Sequence, residues 1–179
     1  MARDPHRYRL ARAGVLNVWQ YDEQVFVFAD GRLLLRGTNG AGKSKTLEML
    51  LPFVLDGDKA RMTATGRQGS QLLWLMSDGA SGTGTRLGYL WVELARVDPS
   101  GEAQVVTCGI GLRYAANART VSTWQFTVPG GVPDLCEPDG APLSAPRCRE
   151  LVESLGGSVF DSPRAYKEHV GRLLFGLEP

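Results

Sequence analysis

The chain has 179 residues, a net charge of +1, 43% hydrophobic residues and 22% charged residues. This length allows one domain with a sizeable core, or one lobe of a larger domain, and the composition excludes a disordered chain. The near-zero net charge excludes a general attraction to nucleic acid, so contact with DNA would require a local basic patch.

Membrane and metal proteins are also disfavoured by the sequence. No apolar run reaches the roughly 20 residues that a membrane-spanning helix needs, and the N-terminus lacks the apolar core of a signal peptide. Cys108, Cys136 and Cys148 fit no metal-ligand spacing, and two histidines make a His-based metal site unfavourable. We therefore expect a reduced, cytoplasmic protein without a membrane partner. The basic cluster in the first twelve residues is expected to form a solvated arm, with contact to DNA or a partner as the alternative.

Residues 1–55 form the first predicted unit. Residues 15–18 and 25–28 are expected as strands, and Asp30-Gly31 favours a tight turn before a short buried strand at 33–35. A glycine-rich loop follows. A helix is then expected until Pro52 kinks or ends it, because apolar residues recur at helical spacing: Leu47, Leu50, Leu51 and Val54.

Three further units follow along the chain. Residues 56–85 are glycine-rich and predict a flexible loop region with a short helical segment at 72–76. Residues 86–128 contain three runs of alternating apolar residues with a turn at 98–101, which predicts an antiparallel meander. Residues 129–179 predict a connector and two helices, one capped by Ser144 and one opened by Ser162-Pro163.

The stretch "GTNGAGKS" at residues 37–44 fits the phosphate-binding pattern G-x-x-x-x-G-K-[ST] at every fixed position. Its glycines let backbone N–H groups converge on phosphate oxygens, and the following helix points the positive end of its dipole at them. Lys43 is expected to bridge the β- and γ-phosphates, and Ser44 to bind Mg²⁺. The predicted ATP-binding residues are Gly37, Thr38, Asn39, Gly40, Ala41, Gly42, Lys43, Ser44 and Lys45.

The residues that would hydrolyse a nucleotide are missing. The chain has no Asn-Lys-x-Asp segment to read guanine, and its one Asp-x-x-Gly string, at 98–101, lies in a predicted turn. "FVLD" at 53–56 follows the loop helix too closely to hold Mg²⁺, and Glu93 is expected on the outer face of a half-buried strand. "SLGGS" at 154–158 is interpreted as a helix C-cap rather than a phosphate-binding signature. We therefore predict no catalytic residue.

The loop, its flanking short strands and the meander resemble the N-terminal half-head of SMC- and MukB-type ATPases. More narrowly, the stretch from "GVLNVWQYDEQ" through the loop to "FVLDGD", with "RLGYLWVELARV" and "AYKEHVGRLLFGLEP", is similar to the SMC-like JetC subunits of bacterial Wadjet plasmid-defence systems. The resemblance implies an α/β P-loop NTPase fold with a mixed sheet, the antiparallel meander and flanking helices that lead toward a coiled coil. Lys45 departs from the Thr or Asn common in related loops, and the Mg²⁺-sensing glutamine has no clear match among Gln68, Gln71 and Gln125.

Function follows from this resemblance as an expectation. It implies an ATP- and Mg²⁺-binding half-site whose missing groups lie in a C-terminal half-head of the same polypeptide. It also implies a second head in a homodimer, kleisin and accessory subunits, double-stranded DNA as a partner, and a cytoplasmic, nucleoid-associated location. Two alternatives stay open. One is a self-contained P-loop phosphotransferase with residues 57–85 as a lid, and the other is a truncated interaction module.

Overall fold

The structure is a computed structural model, and it describes residues 6–34, 53–58, 70–77, 84–116 and 118–176. Its strands are β1 (Arg9–Val18), β2 (Tyr21–Val27), β3 (Arg86–Val97), β4 (Ala103–Tyr114), β5 (Ser122–Pro129) and β6 (Ser158–Phe160). Its helices are α1 (Val54–Asp56), α2 (Ser70–Ser77), α3 (Ala145–Ser154) and α4 (Pro163–Phe175).

The six strands form one sheet in the order β2-β1-β3-β4-β5-β6, and every neighbouring pair is antiparallel. The predicted meander is confirmed, because β3, β4 and β5 are joined by short turns and pair in sequence order. The α/β class is confirmed as well. The resemblance implied a mixed sheet, but the described strands form an antiparallel one, since none of their pairings is parallel.

Both faces of the sheet are covered, so its central strands are buried on each side. One face packs against α1, α2 and α4, with a core that includes Leu90, Val92 and Ile110. The other face packs against α3 and the connector that precedes it. The sequence predicted half-buried strands in this region, whereas β3 is buried without interruption from Gly88 to Leu94.

Glycines and aromatic rings alternate across the second face. In the register of the sheet, Gly14 of β1 lies opposite Trp91 of β3, which lies opposite Gly109 of β4, which lies opposite Phe126 of β5. A neighbouring row places Gly111 opposite Trp124. A Cβ atom on Gly14, Gly109 or Gly111 would collide with the facing ring. The rings therefore lie close to the glycine backbone, and this close approach requires residues without side chains.

Two of the three strands predicted for residues 1–55 are confirmed, and the third is wrong at its described positions. Residues 15–18 belong to the longer β1, and β2 begins earlier than predicted, at Tyr21. Ala29 and Arg32 form an isolated bridge around the predicted Asp30-Gly31 turn. Leu33 and Leu34 belong to no strand, and Leu34 is 72% exposed, so the buried strand expected at 33–35 is not present at its two described positions.

The helices follow the sequence closely. The short segment at 72–76 is α2, and α3 and α4 begin after Ser144 and Ser162 as predicted. The Ser162 hydroxyl accepts a bond from the Ala165 N–H, while Ser144 makes no side-chain cap. None of the four helices in the described ranges combines the length and apolar character that crossing a bilayer demands.

Candidate functional site

The predicted nucleotide-binding residues 37–45 lie outside the described residues, together with most of the predicted helix after them, including Pro52. Gln68 lies outside them as well, and so do Arg61 and Arg67, the arginines that a phosphotransferase lid at 57–85 could use. The structure does describe the chain on both sides of that segment, up to residue 34 and again from residue 53. The contacts of these two flanks show how the fold holds the chain before and after the motif.

The upstream flank is a tight turn at the edge of the sheet. Backbone N–H groups of Ala29 and Arg32 each donate to the other residue's carbonyl, at 2.9 and 3.0 Å. Asp30 and Gly31 both have positive φ, at 53° and 72°, which is the conformation of a two-residue hairpin turn. Arg9 Nη1 also lies 2.9 Å from Asp30 Oδ1. The turn that precedes the motif is therefore tied to the first residue of β1.

The downstream flank is held in the core. Phe53 and Val54 are fully buried, and the Tyr166 hydroxyl of α4 donates to the Val54 carbonyl at 2.7 Å. Tyr166 is itself buried, which raises its pKa well above the ordinary value, so the hydroxyl keeps its proton and remains a donor. Lys167 Nζ lies 3.1 Å from Asp56 Oδ1 on the outside of the same contact. Two neighbouring residues of α4 thus grip the chain just after the predicted loop helix.

Gly57 completes this attachment. It ends α1 with a left-handed backbone, φ 66°, and its N–H donates to the Phe53 carbonyl at 2.7 Å. A Cβ atom here would lie 2.9 Å from the Tyr166 ring, so both the backbone and the space call for glycine. The Gln125 amide donates from β5 to the Gly57 carbonyl at 3.3 Å.

Gln125 is a buried polar residue in contact with this flank. Its side chain is fully buried, Nε2 has partners in Gly57 and Thr123, and Oε1 accepts no hydrogen bond. The sequence left the Mg²⁺-sensing glutamine unassigned, and the contacts of Gln125 are structural ones to the segment 53–58. Its amide connects β5 to the residues that follow the predicted loop helix.

Glu93 is a buried structural acid, which corrects the expectation that it lies on an outer face. It is 4% exposed, and its carboxylate accepts two bonds from the Arg12 guanidinium, at 2.6 and 2.7 Å, and one from the Val132 N–H at 2.8 Å. Burial alone would raise the pKa of Glu93, but the bonds from Arg12 and Val132 and the charge of Arg12 hold it below the ordinary value. A carboxylate with its oxygens already occupied is poorly suited to bind Mg²⁺ or activate water.

The other acidic and signature-like strings have structural roles too. The Asp98 carboxylate accepts from the Ser100 hydroxyl and from the N–H groups of Ser100 and Glu102, so it shapes the β3–β4 turn as predicted. "SLGGS" ends α3, where Gly156 has φ 75° and the Gly157 N–H donates to the Val152 carbonyl. The C-cap interpretation is confirmed. Asp56, in "FVLD", pairs with Lys167.

The three thiols are unsuited to chemistry. Burial raises the pKa of Cys108 to about 12, and it raises that of Cys148 as well. Cys136 is partly exposed, and its pKa is also raised, first by burial and then by the charges of Asp134 and Glu23. Within the ranges that the structure describes, His, Cys, Asp and Glu residues form no group of three that could hold a metal ion.

Comparisons with known proteins give no further assignment. No protein-family model matches the chain, and neither a curated protein nor a solved structure matches it. The case for a nucleotide site therefore depends on the motif itself and on the way in which its two flanks are held.

Sequence reasoning did not identify the residues that hold the downstream flank. The helical spacing of apolar residues after Ser162-Pro163 places Tyr166 on the inner face of its helix but does not identify its partner, and it gives Lys167 and Gly57 no role. The signal available for Gly57 was its place between two aspartates in "LDGDK", a composition typical of turns. Tyr166 carried no local signal, because its partner Val54 lies 112 residues away in the sequence.

Proposed function

We propose that this chain binds ATP and Mg²⁺ as one half of the ATPase head of an SMC-like protein that acts on DNA. The observation that carries the proposal is "GTNGAGKS", in which all fixed positions of the phosphate-binding pattern are filled. Lys43 would contact the β- and γ-phosphates, Ser44 would bind Mg²⁺, and the backbone N–H groups of residues 37–42 would surround the phosphates.

The flanks of the motif support this proposal. A phosphate-binding loop functions when its backbone is held in one shape before the ligand arrives, because ordering a loose loop reduces affinity. Here the chain leaves the sheet through the turn at 29–32 and returns at Phe53, where Tyr166, Gln125 and Lys167 hold it. Both ends of the 18-residue interval from 35 to 52 are thereby attached to the same sheet and its helices.

The three acids in motif-like strings that the structure describes support a half-site rather than a complete one. Glu93, Asp98 and Asp56 are each engaged by partners within the fold. The groups that cleave ATP would then come from a C-terminal half-head of the same polypeptide and from a second head, with kleisin and accessory subunits and double-stranded DNA as partners. Anti-plasmid defence at the nucleoid is the biological role that the resemblance favours.

Nucleotide binding is tested by thermal unfolding of the 179-residue chain in saturating Mg-ATP. We expect an increase in Tm, because a ligand that binds only the folded state stabilises it by about 2.7 kcal/mol at a concentration 100 times its Kd. Lys43→Ala should remove the increase, whereas Lys59→Ala, outside the motif, should retain it. The same preparation should release no phosphate above background.

Two results would contradict the proposal in different ways. Turnover by the chain alone that Lys43→Ala abolishes would indicate a self-contained phosphotransferase. An unchanged Tm at millimolar Mg-ATP would show that the chain does not bind the nucleotide, and it would favour the alternative of a truncated interaction module.

A further inference from the structure

A groove of about 890 Å³ is lined by Leu55 of α1 together with the C-terminal end of α4. Its walls are the residues before β1, the second half of β3 and the last turn of α4. Its floor is apolar and consists of leucines from four elements: Leu10, Leu55, Leu94, Leu173 and Leu174. Phe175, at the rim, is 68% exposed. We call this feature the arginine groove, after the side chains that line its edge.

Among the described residues that line the arginine groove, the fixed charges are all positive. They belong to Arg7, Arg96 and Arg172, and no described Asp or Glu lines the groove. The Arg96 guanidinium lies 4.6 Å above the Tyr8 ring, and its hydrogen bonds, at 3.0 and 2.8 Å, go to the neutral amide oxygen of Gln104. These contacts hold the Arg96 guanidinium beside the groove, and neither of them involves a carboxylate.

A second depression continues the arginine groove past Tyr8 and Leu173, which line both. It measures about 680 Å³ and is lined largely by backbone and small residues, including Gly130, Gly156 and Gly157. His169 lies on its wall, and burial, then the charge of Arg172, lowers the pKa of His169. This part of the surface is therefore close to neutral near pH 7, and the positive charge is concentrated at the arginines.

The combination of an apolar floor and an arginine rim selects the class of ligand. Phosphate groups of a nucleic acid would satisfy the arginines but would leave the leucines in contact with water. A peptide with large apolar side chains between acidic residues satisfies both, since its apolar groups displace water from the floor and its carboxylates accept from guanidinium groups. Arginine and aromatic residues are also the types enriched at the centres of protein interfaces.

We propose that the arginine groove binds an acidic peptide segment of a partner protein, with apolar side chains against Leu55, Leu94 and Leu173 and carboxylates at Arg96 and Arg172. The described residues that line the groove include none from the phosphate-binding motif, and the proposed contact does not require a nucleotide. Leu55 lies in α1, which follows the predicted loop helix, so an occupied groove would contact the same segment that Tyr166 holds.

The test is a selection with a displayed library of random 16-residue peptides against the 179-residue chain. Enriched peptides should carry several Asp or Glu residues around Leu, Phe or Trp. Synthetic copies of them should bind at least 10-fold more weakly to the double variant Arg96→Glu, Arg172→Glu. The control is Arg113→Glu, Arg164→Glu, which makes the same change in net charge away from the groove and should bind as the wild type does.

Unfolding curves of both double variants confirm that each is folded before binding is compared. Selected peptides without acidic enrichment, or equal binding to the two double variants, would overturn the proposal. So would a 20-nucleotide DNA, single-stranded or duplex, that binds through Arg96 and Arg172 while no peptide does. Lys43→Ala should bind the peptides normally, so failure of nucleotide binding and failure of the groove are distinguishable.

Discussion

At the scale of single residues, the ion pair of Arg12 and Glu93 connects three separate parts of the fold. Glu93 is buried, while the Arg12 side chain is 45% exposed, so the carboxylate depends on one partly solvated guanidinium and one backbone N–H. Removing the guanidinium would leave a buried carboxylate with the Val132 N–H as its remaining donor. The interaction joins β1, β3 and the connector after β5, and its loss is felt by all three.

We expect Arg12→Ala to lower the free energy of unfolding by about 2 kcal/mol, because a buried charge that loses its partner is costly even when that partner was partly exposed. Chemical denaturation measures the change. The control is Arg164→Ala, whose ion pair with Glu168 is exposed and should contribute about 0.5 kcal/mol or less. Equal losses of stability in the two variants would show that the buried pair of Arg12 and Glu93 contributes no more than an exposed ion pair does.

The same pair predicts a dependence of stability on pH. The pKa of Glu93 is lowered in the folded state, so its stabilisation is complete above the unfolded pKa and is lost as the pH falls through the folded pKa. With an unfolded value of about 4.3, the loss belongs to the acidic range below it. Denaturation at a series of pH values should show a shallower acid decline for Glu93→Gln than for the wild type. Identical slopes would contradict this assignment.

At the scale of elements, α4 connects the sheet to the chain that follows the predicted loop helix. Tyr166→Phe removes one hydroxyl and leaves the buried Val54 carbonyl without that donor, so we expect a loss of about 1–2 kcal/mol. Tyr114→Phe, at the partly exposed end of β4, should change stability by much less. If the proposed function is right, Tyr166→Phe should also reduce the increase in Tm that Mg-ATP gives.

The rows of glycines and aromatic rings make a second prediction for elements. Gly111→Ala places a methyl group in the volume of the Trp124 ring, and we expect a loss of about 2–3 kcal/mol from overpacking. Gly84→Ala is the matched control, since nothing lies within 4 Å of the added atom and no positive φ is required there. Thermal unfolding of both variants measures the difference. A Gly111→Ala protein as stable as Gly84→Ala would mean that the ring moves aside freely.

At the scale of the whole molecule, the central strands of the sheet are buried and its edge strand β2 is mostly exposed. β3 and β4 are flanked on both sides and on both faces, whereas β2 lies at an edge and is mostly exposed. Hydrogen exchange should therefore show the slowest amides in β3 and β4, opening only with global unfolding, and fast exchange in β2. Protection of β2 equal to that of β3 would indicate that its outer edge is covered.

The sequence was sufficient for the parts of the fold that have a local signature. Alternating apolar residues predicted β3, β4 and β5, and Ser162-Pro163 predicted the start of α4, because period and capping are properties of neighbouring residues. The burial of Glu93 was not predicted, because its partner Arg12 is 81 residues away in the sequence. The alternating pattern of a strand also does not show which of its two faces is exposed to solvent. The candidate site divides in the same way. The motif could be identified from eight adjacent residues, whereas the contact of Tyr166 with the chain after the motif could not be predicted from the sequence.

Each ring in the glycine rows fills the space that a Cβ atom on the facing glycine would need, so the two positions share a single volume. Substitutions at such positions do not act independently. In descendants of this chain, Gly109 with Phe126 and Gly111 with Trp124 should change together, the glycine enlarging as the aromatic residue shrinks, while Gly84 drifts alone. Coupled change at these positions would let an alignment of divergent sequences recover the register of the central strands.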